Sequence, residues 1–384
     1  MKLLRIAVQC LALVLLPWQA VVAAELTEIP SDPKGNVLLY GAYGYTGKGI
    51  ANLAAEYGIT PVLSGRNGEK LKAFADEVGY DYITLSLDDN HERIVEVLRG
   101  FELVMHIAGP YTFTAEPMID AALEAGTHYV DLTGELHVIQ EQLDRHEEYL
   151  EAGIMVMPAV GFDVVPTDCI NLYVAEKIDN PTTLQLVMNN GYESAEGAEV
   201  SRGTVKSGIE MLSRPLKMRQ DGQMIEVSQP KVITDVINGE ERSLVQIPWA
   251  DMITSWVSTG VPTIEVYQIA GGGELPGWVL WLLQREWGKD VLVWMVDTFM
   301  PEGPPPEAQE KRKVQLIATA TNKRGETAKA ELITPEAYLL TFHSTLIVSR
   351  KILDGEWEAG FQTPAKLYGA DLALEIPGVT RRDL

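Results

Sequence analysis

Between Val37 and Val160, short apolar runs recur at regular intervals, separated by longer stretches in which apolar residues return every three or four positions. The first pattern is that of strands covered on both faces, and the second is that of amphipathic helices. The runs predict strands over Val37–Ala42, Pro61–Ser64, Tyr82–Leu87, Leu103–Ala108, Tyr129–Leu132 and Met155–Val160. Helices are predicted between them over Gly47–Tyr57, Glu69–Val78, His91–Leu98, Glu116–Ala125 and Val138–Ala152. Strands alternating with helices build a parallel sheet with helices on both faces, so residues 31–165 read as an α/β, doubly wound domain of the Rossmann type.

Beyond Pro166 the rhythm changes. A helix predicted over Asp168–Lys177 leads into alternating runs such as Thr183–Met188 and Lys231–Val236. The turn sequences Asn238-Gly239 and Asn322-Lys323-Arg324-Gly325 separate further runs as hairpins. Residues 166–384 therefore read as a second, α+β domain built on an antiparallel or mixed sheet, with a proline-rich link over residues 303–306. A second domain of this kind commonly completes a substrate cleft against the first, which suggests an enzyme.

Two segments stand apart from this pattern. Lys2 and Arg5 precede an apolar run from Ile6 to Ala24 that ends in small residues before Glu25. That is the form of a signal peptide cleaved after Ala24, which predicts a periplasmic or secreted protein. An uncleaved membrane anchor is the alternative, although Pro17 and Gln19 interrupt the run. Further on, Trp278 to Met300 reads as two apolar patches holding Trp278, Trp281, Trp287 and Trp294, half of the chain's 8 tryptophans. It is either a helical hairpin buried in the core or a homodimer interface, or a peripheral element resting on a membrane. The polar breaks at Gln284-Arg285-Glu286 and Gly288-Lys289-Asp290 leave it too interrupted to span.

Composition narrows the function. With 46% hydrophobic and 22% charged residues the chain is ordinary for a soluble globular protein, and 384 residues suffice for two cores. The formal charge of -23, with no basic block, repels a phosphate backbone and excludes nucleic acid as a partner. Of the 2 cysteines, Cys10 lies in the leader and Cys169 is left without a partner, so no internal disulfide forms in the mature chain. No metal is expected.

The strongest chemical signal is the turn Gly41-Ala42-Tyr43-Gly44-Tyr45-Thr46-Gly47, where a predicted strand passes directly into a predicted helix. The unpaired N–H groups of such a helix start, here those around Tyr45, Thr46 and Gly47, bind the diphosphate of a dinucleotide. Gly41 permits the tight turn, Gly44 lets the backbone approach the phosphates, and Gly47 allows helix and strand to pack closely. At the end of the second strand, where NAD-binding chains carry an acidic residue, this chain has Gly65-Arg66-Asn67, with Lys70 one helical turn further on. Arg66, Asn67 and Lys70 suit the 2'-phosphate of NADP(H). Ala108 and Gly109 follow the fourth strand and leave room for the cofactor. Asp131 and Glu135 follow the fifth, where either orients a substrate, shuttles a proton or caps the next helix.

These segments, together with His106–Tyr111, Ala125–Glu135, Gly161–Asp168, Ser201-Arg202-Gly203-Thr204, Ser258–Pro262 and Gly360–Pro364, resemble the saccharopine dehydrogenase-like oxidoreductases. The similarity is greatest to the branch that includes the trans-acting enoyl reductases. The resemblance implies an NADP-binding Rossmann domain, a mixed second domain and a C-terminal segment that packs back on the first. It supplies no catalytic residue; Arg202 is the candidate anchor for an anionic substrate group, with an ion pair across the domain interface as its alternative role. The expected function is NADPH-dependent reduction of a lipid-like enoyl or carbonyl substrate by hydride transfer. The alternative is a noncatalytic, envelope-associated protein that holds NADP as structure or sensor.

Overall fold

The computed structural model describes residues 24–26, 28–32, 34–192, 201–212, 214–269, 279, 282, 285–303 and 312–384. The leader before Ala24, Trp278, Trp281 and the link beyond Gly303 lie outside them. The first sheet has seven parallel strands. Six come from the N-terminal half: β1 (Val37–Tyr40), β2 (Val62–Gly65), β3 (Tyr82–Thr84), β4 (Leu103–His106), β5 (His128–Asp131) and β6 (Met155–Met157). Their order across the sheet is β6-β5-β4-β1-β2-β3, with the switch point between β1 and β4. Every residue of β1, β4, β5 and β6 is buried, which is why these strands show no polar alternation.

The helices between them depart from the expected bounds in instructive ways. The first, α1 (Tyr45–Leu53), begins two residues early because Gly44 is already its N-cap. The second, α2 (Gly68–Val78), is capped by the Asn67 side chain, which accepts from the Lys70 amide, and α3 (His91–Leu98) follows β3. The fourth, α4 (Tyr111–Ala125), starts five residues before the predicted Glu116 and carries Pro117 in its interior. Its first turn is capped from outside by the Glu135 carboxylate, which accepts from the Tyr111 and Thr112 amides at 3.3 and 2.8 Å. The predicted helix Val138–Ala152 is two helices, α5 (Leu136–Asp144) and α6 (His146–Ala152), broken at Arg145. That side chain bonds Asp120 and Glu148 and lies over the Tyr149 ring.

After α7 (Val165–Ala175), which starts with Pro166 in its first turn, the chain builds a nine-stranded mixed sheet. Its strands are β7 (Pro181–Asn189), β8 (Leu216–Gln220), β9 (Gln223–Val227), β10 (Val232–Ile237), β11 (Glu240–Gln246), β12 (Thr263–Ile269), β13 (Lys313–Asn322), β14 (Thr327–Pro335) and β16 (Thr380–Asp383). All neighbouring pairs are antiparallel except β7 with β12. Four helices punctuate it: α8 (Arg202–Leu212), α9 (Asp251–Thr259), α10 (Glu286–Phe299) and α11 (Ala337–Leu353). In α10, Leu292 and Val296 pack with Leu282 against Ile209 of α8. Trp287, Trp294 and Phe299 are instead exposed, at 54%, 60% and 72%. Among the described residues no helix is long and apolar enough to cross a membrane.

Two returns join this half to the first sheet. α11 lies along α1, with the Phe342 ring occupying the space a side chain at Gly49 would need. It is pinned by the Ser344 hydroxyl donating to the Val160 carbonyl and the Phe162 amide donating to the Thr341 hydroxyl. Then Gly360–Phe361 forms β15, which pairs in parallel with β6 as the seventh strand of the first sheet, and α12 (Pro364–Tyr368) follows.

Candidate cofactor and substrate site

The turn between β1 and α1 is shaped by what its glycines exclude. Gly41 has a φ of +90°, and a Cβ there would sit 2.7 Å from the Ile107 carbonyl oxygen; at Gly47 it would lie 2.3 Å from that of Gly41. Both neighbours are backbone and cannot yield, so these glycines are required by the fold itself. Gly44 differs: a Cβ would meet only the Gly41 carbonyl, at 3.3 Å, and the residue is exposed. No acidic side chain stands in the first turn of α1 to compete with an anion for its free amides.

Beside this turn, Arg66 and Lys70 are exposed, and among the described residues neither side chain makes a hydrogen bond or ion pair. These two neighbouring exposed cations place positive charge beside the turn, where an anion could bind. The Asn67 oxygen is committed to capping α2, which leaves its NH2 as a donor. The Tyr43 ring lies across Gly65, 2.6 Å from where a Cβ would stand, and so forms a flat wall beside Arg66. The cradle and the cations fit a phosphorylated dinucleotide.

From the turn, a cavity of about 370 Å³ runs between the two sheets. Thr46 of α1 and Gly109 after β4 border it on the turn side, while Ala108 packs tightly against Gly41. Ile107, Leu132, Phe162, Trp249 and Val314 give it apolar walls, and α8 contributes Thr204, Ser207 and Gly208. Tyr45 is held to one side by the rings of Tyr338 and Phe342, with centroids 5.0 and 6.5 Å away.

The ionisable groups divide sharply. Asp131 is fully buried beneath the cavity rather than at its mouth. It accepts from the Tyr129 hydroxyl, the Gln142 amide and the backbone of Thr133 and Ala159, a structural set that leaves no face for a substrate. Glu135 does line the cavity, and it accepts from the Ser207 hydroxyl at 3.0 Å as well as the two α4 amides. Burial raises its pKa and these donors hold it down. Arg202 lies outside the lining; its guanidinium donates to the Met300 carbonyl at 2.6 Å and its amide to that of Glu302, fastening α8 to the chain after α10.

Three lining groups were missed by the sequence reading. Asp163, in the loop after β6, has no hydrogen bond to its carboxyl from any described residue, and burial and then the charge of Glu135 push its pKa up to about 6. Arg312 faces Glu336, whose carboxylate caps α11 through the Tyr338 and Leu339 amides. The rule that ligands gather at the carboxyl ends of parallel strands could have found Asp163, since it follows the sixth strand as Glu135 follows the fifth. Nothing local marks Arg312 or Glu336, which arrive from the second sheet. Among the described residues no cluster suits a metal ion.

Residues 37–157 match the family model of the saccharopine dehydrogenase NADP binding domain. The trans-acting enoyl reductase of Mycobacterium tuberculosis is 32% identical over 151 residues, 38% of this chain and 36% of that protein. Human saccharopine dehydrogenase-like oxidoreductase is 26% identical over 196 residues, 45% of each. The similarity thus spans less than half the length of these curated relatives. Over the whole fold, the saccharopine dehydrogenase (L-Glu forming) of Saccharomyces cerevisiae superposes with a TM-score of 0.59 at 14% identity, covering 91% of this chain and 99% of that one. Residues 37–157 thus form a domain similar to the saccharopine dehydrogenase NADP binding domain, and the chain as a whole shares the fold of the yeast enzyme.

Proposed function

We propose that this chain is an NADPH-dependent reductase acting on an apolar enoyl or carbonyl compound. The observation that carries the reading is the largely apolar cavity that begins at Thr46 and Gly109, beside the glycine turn, and is closed by α8, β13 and α11 of the second half. The names of the enoyl reductase relatives support the same chemistry. In this reading the amides of Tyr45, Thr46 and Gly47 hold the diphosphate, and Arg66, Asn67 and Lys70 hold the 2'-phosphate. The bound cofactor supplies the hydride. The walls from Ile107, Leu132, Phe162 and Trp249 exclude water and orient the substrate's apolar part. A saccharopine-like substrate is disfavoured, because its several carboxylates would face Glu135, Asp163 and Glu336 with Arg312 as the one cation among the described lining residues.

Purified protein mixed with NADPH and a panel of long-chain enones and ketones tests this directly. Loss of NADPH absorbance that depends on one of them is expected. Tight NADPH binding with no turnover across the panel would instead favour the noncatalytic NADP-holding protein. We also propose that residues 1–24 act as an export leader. What supports this is the charged start at Lys2 and Arg5, the apolar run from Ile6 and the small residues before Glu25. N-terminal sequencing of protein from the cell envelope should begin at Glu25; an intact Met1 would mean an anchor. Contact of α10 with a membrane surface through Trp287, Trp294 and Phe299 is part of the same picture, and vesicle co-sedimentation measures it.

A further inference from the structure

Of the three carboxylates that border the cavity, Glu135 and Asp163 lie near each other, and their surroundings treat them differently. Glu135 receives three donors, two of them the first amides of the 15-residue helix α4, where the positive end of the helix favours a charge. Asp163 receives none from the described residues. Its backbone carbonyl is taken by the Trp249 indole at 2.8 Å and the Thr167 hydroxyl at 3.1 Å, which fixes the loop but leaves the carboxyl to itself. That carboxyl lies over Gly134, close enough that a Cβ there would be 2.7 Å from its Oδ2. The residue after Gly134 is Glu135, so the absence of a side chain at 134 is what lets the second carboxyl settle beside the first.

We infer that Asp163 is the acid that protonates the substrate, and that Glu135 is a positioning residue whose fixed negative charge keeps the proton on it. Pairs of carboxyls whose environments split them in this way divide into proton holder and charge holder. The other groups facing the pair are consistent with that division. Tyr111 and Tyr338 are phenols held neutral by burial, and Asp131 lies below the floor. Across the cavity, Arg312 is offset by Glu336, which leaves Glu135 as the charge that acts on Asp163.

The inference rests on the reductase reading, because reduction of C=O or C=C takes up one hydride and one proton. As the substrate accepts the hydride from NADPH, the Asp163 O–H bond breaks. The proton passes to the substrate oxygen or carbon, the electron pair stays on the carboxylate, and water reprotonates it between turnovers.

The test uses the full chain and two readouts. First, infrared difference titration of wild type against Asp163→Asn should reveal a protonated carboxyl that ionises near pH 6 and shifts downward in Glu135→Gln. Second, Asp163→Asn should lower kcat about a hundredfold or more while NADPH binding, followed by fluorescence, is unchanged, and Asp163→Glu should restore part of the rate. The wild-type rate should fall as pH rises past the Asp163 midpoint, and Glu135→Gln should move that fall to lower pH. Retained kcat in Asp163→Asn, or an Asp163 midpoint in the usual aspartate range, overturns the assignment while leaving the reductase reading in place. A wild type that turns over no substrate overturns both.

Discussion

At one end of the cleft the groups proposed to hold the nucleotide's phosphates lie in a single stretch of chain, from Gly41 to Lys70. At the other end the lining comes from loops after β4, β5 and β6, from α8, and from the second sheet and α11. The first end depends on backbone shape: Gly41 and Gly47 admit no side chain, and the proposed anion site consists of amides and two exposed cations. The second depends on which side chains happen to be near one another, as when Ser207 of α8 reaches Glu135. A site encoded locally tolerates divergence elsewhere in the chain, whereas one assembled from distant segments can change its substrate while the fold stays constant.

Substitutions can sharpen that contrast. The largest effect is expected at Gly47→Val, whose Cβ would collide with backbone at 2.3 Å; it should prevent folding, with loss of soluble protein and of native circular dichroism. Gly44→Val should behave otherwise, keeping a melting temperature near wild type while NADPH affinity by calorimetry falls more than about a hundredfold. If the two variants behave alike, the division between folding glycines and binding glycines is wrong. Arg66→Ala is expected to weaken NADPH about tenfold to a hundredfold and to leave NADH unchanged, the loss of charge-assisted bonds to one phosphate. Equal losses for both nucleotides would remove Arg66 from phosphate recognition.

Stability effects beyond the nucleotide end are smaller. The folded chain holds the Asp163 proton up to about pH 6, against an ordinary value of 3.8. That raised value favours the folded state fully below the unfolded pKa, and the benefit is lost as pH rises through the folded one. Well above pH 6, Asp163→Asn should therefore be more stable than wild type, by about 1–3 kcal/mol in urea titration, and the gain should vanish in acid. A gain that does not depend on pH would show that the carboxyl carries no such penalty. Arg202→Ala, which removes one bond to the Met300 carbonyl, should cost about 1 kcal/mol and leave NADPH affinity unchanged.

The same contrast explains how much could be read from the chain. The six N-terminal strands and the glycine turn were legible because each is announced by neighbouring residues. Helix α4 was not, since its true start depends on Glu135, which caps it from another loop. The break at Arg145 was hidden for the same reason, because Asp120, one of the carboxylates that bind it, belongs to α4. Asp131 and Glu135 look equivalent in sequence, and only the buried donors around Asp131 reveal that it supports the floor. Arg202 resembled an anion anchor until the Met300 carbonyl was found to occupy its guanidinium.

The strand Gly360–Phe361 has a consequence for how the protein is made. Synthesis delivers β1 to β6 first, but the outer edge of β6 finds its partner only after Gly360 and Phe361 have emerged. Until then a nascent chain would carry an exposed parallel edge, open to pairing with a neighbouring chain on the same polysome. A stop codon placed before Gly360 should therefore yield aggregates rather than a trimmed, working nucleotide domain.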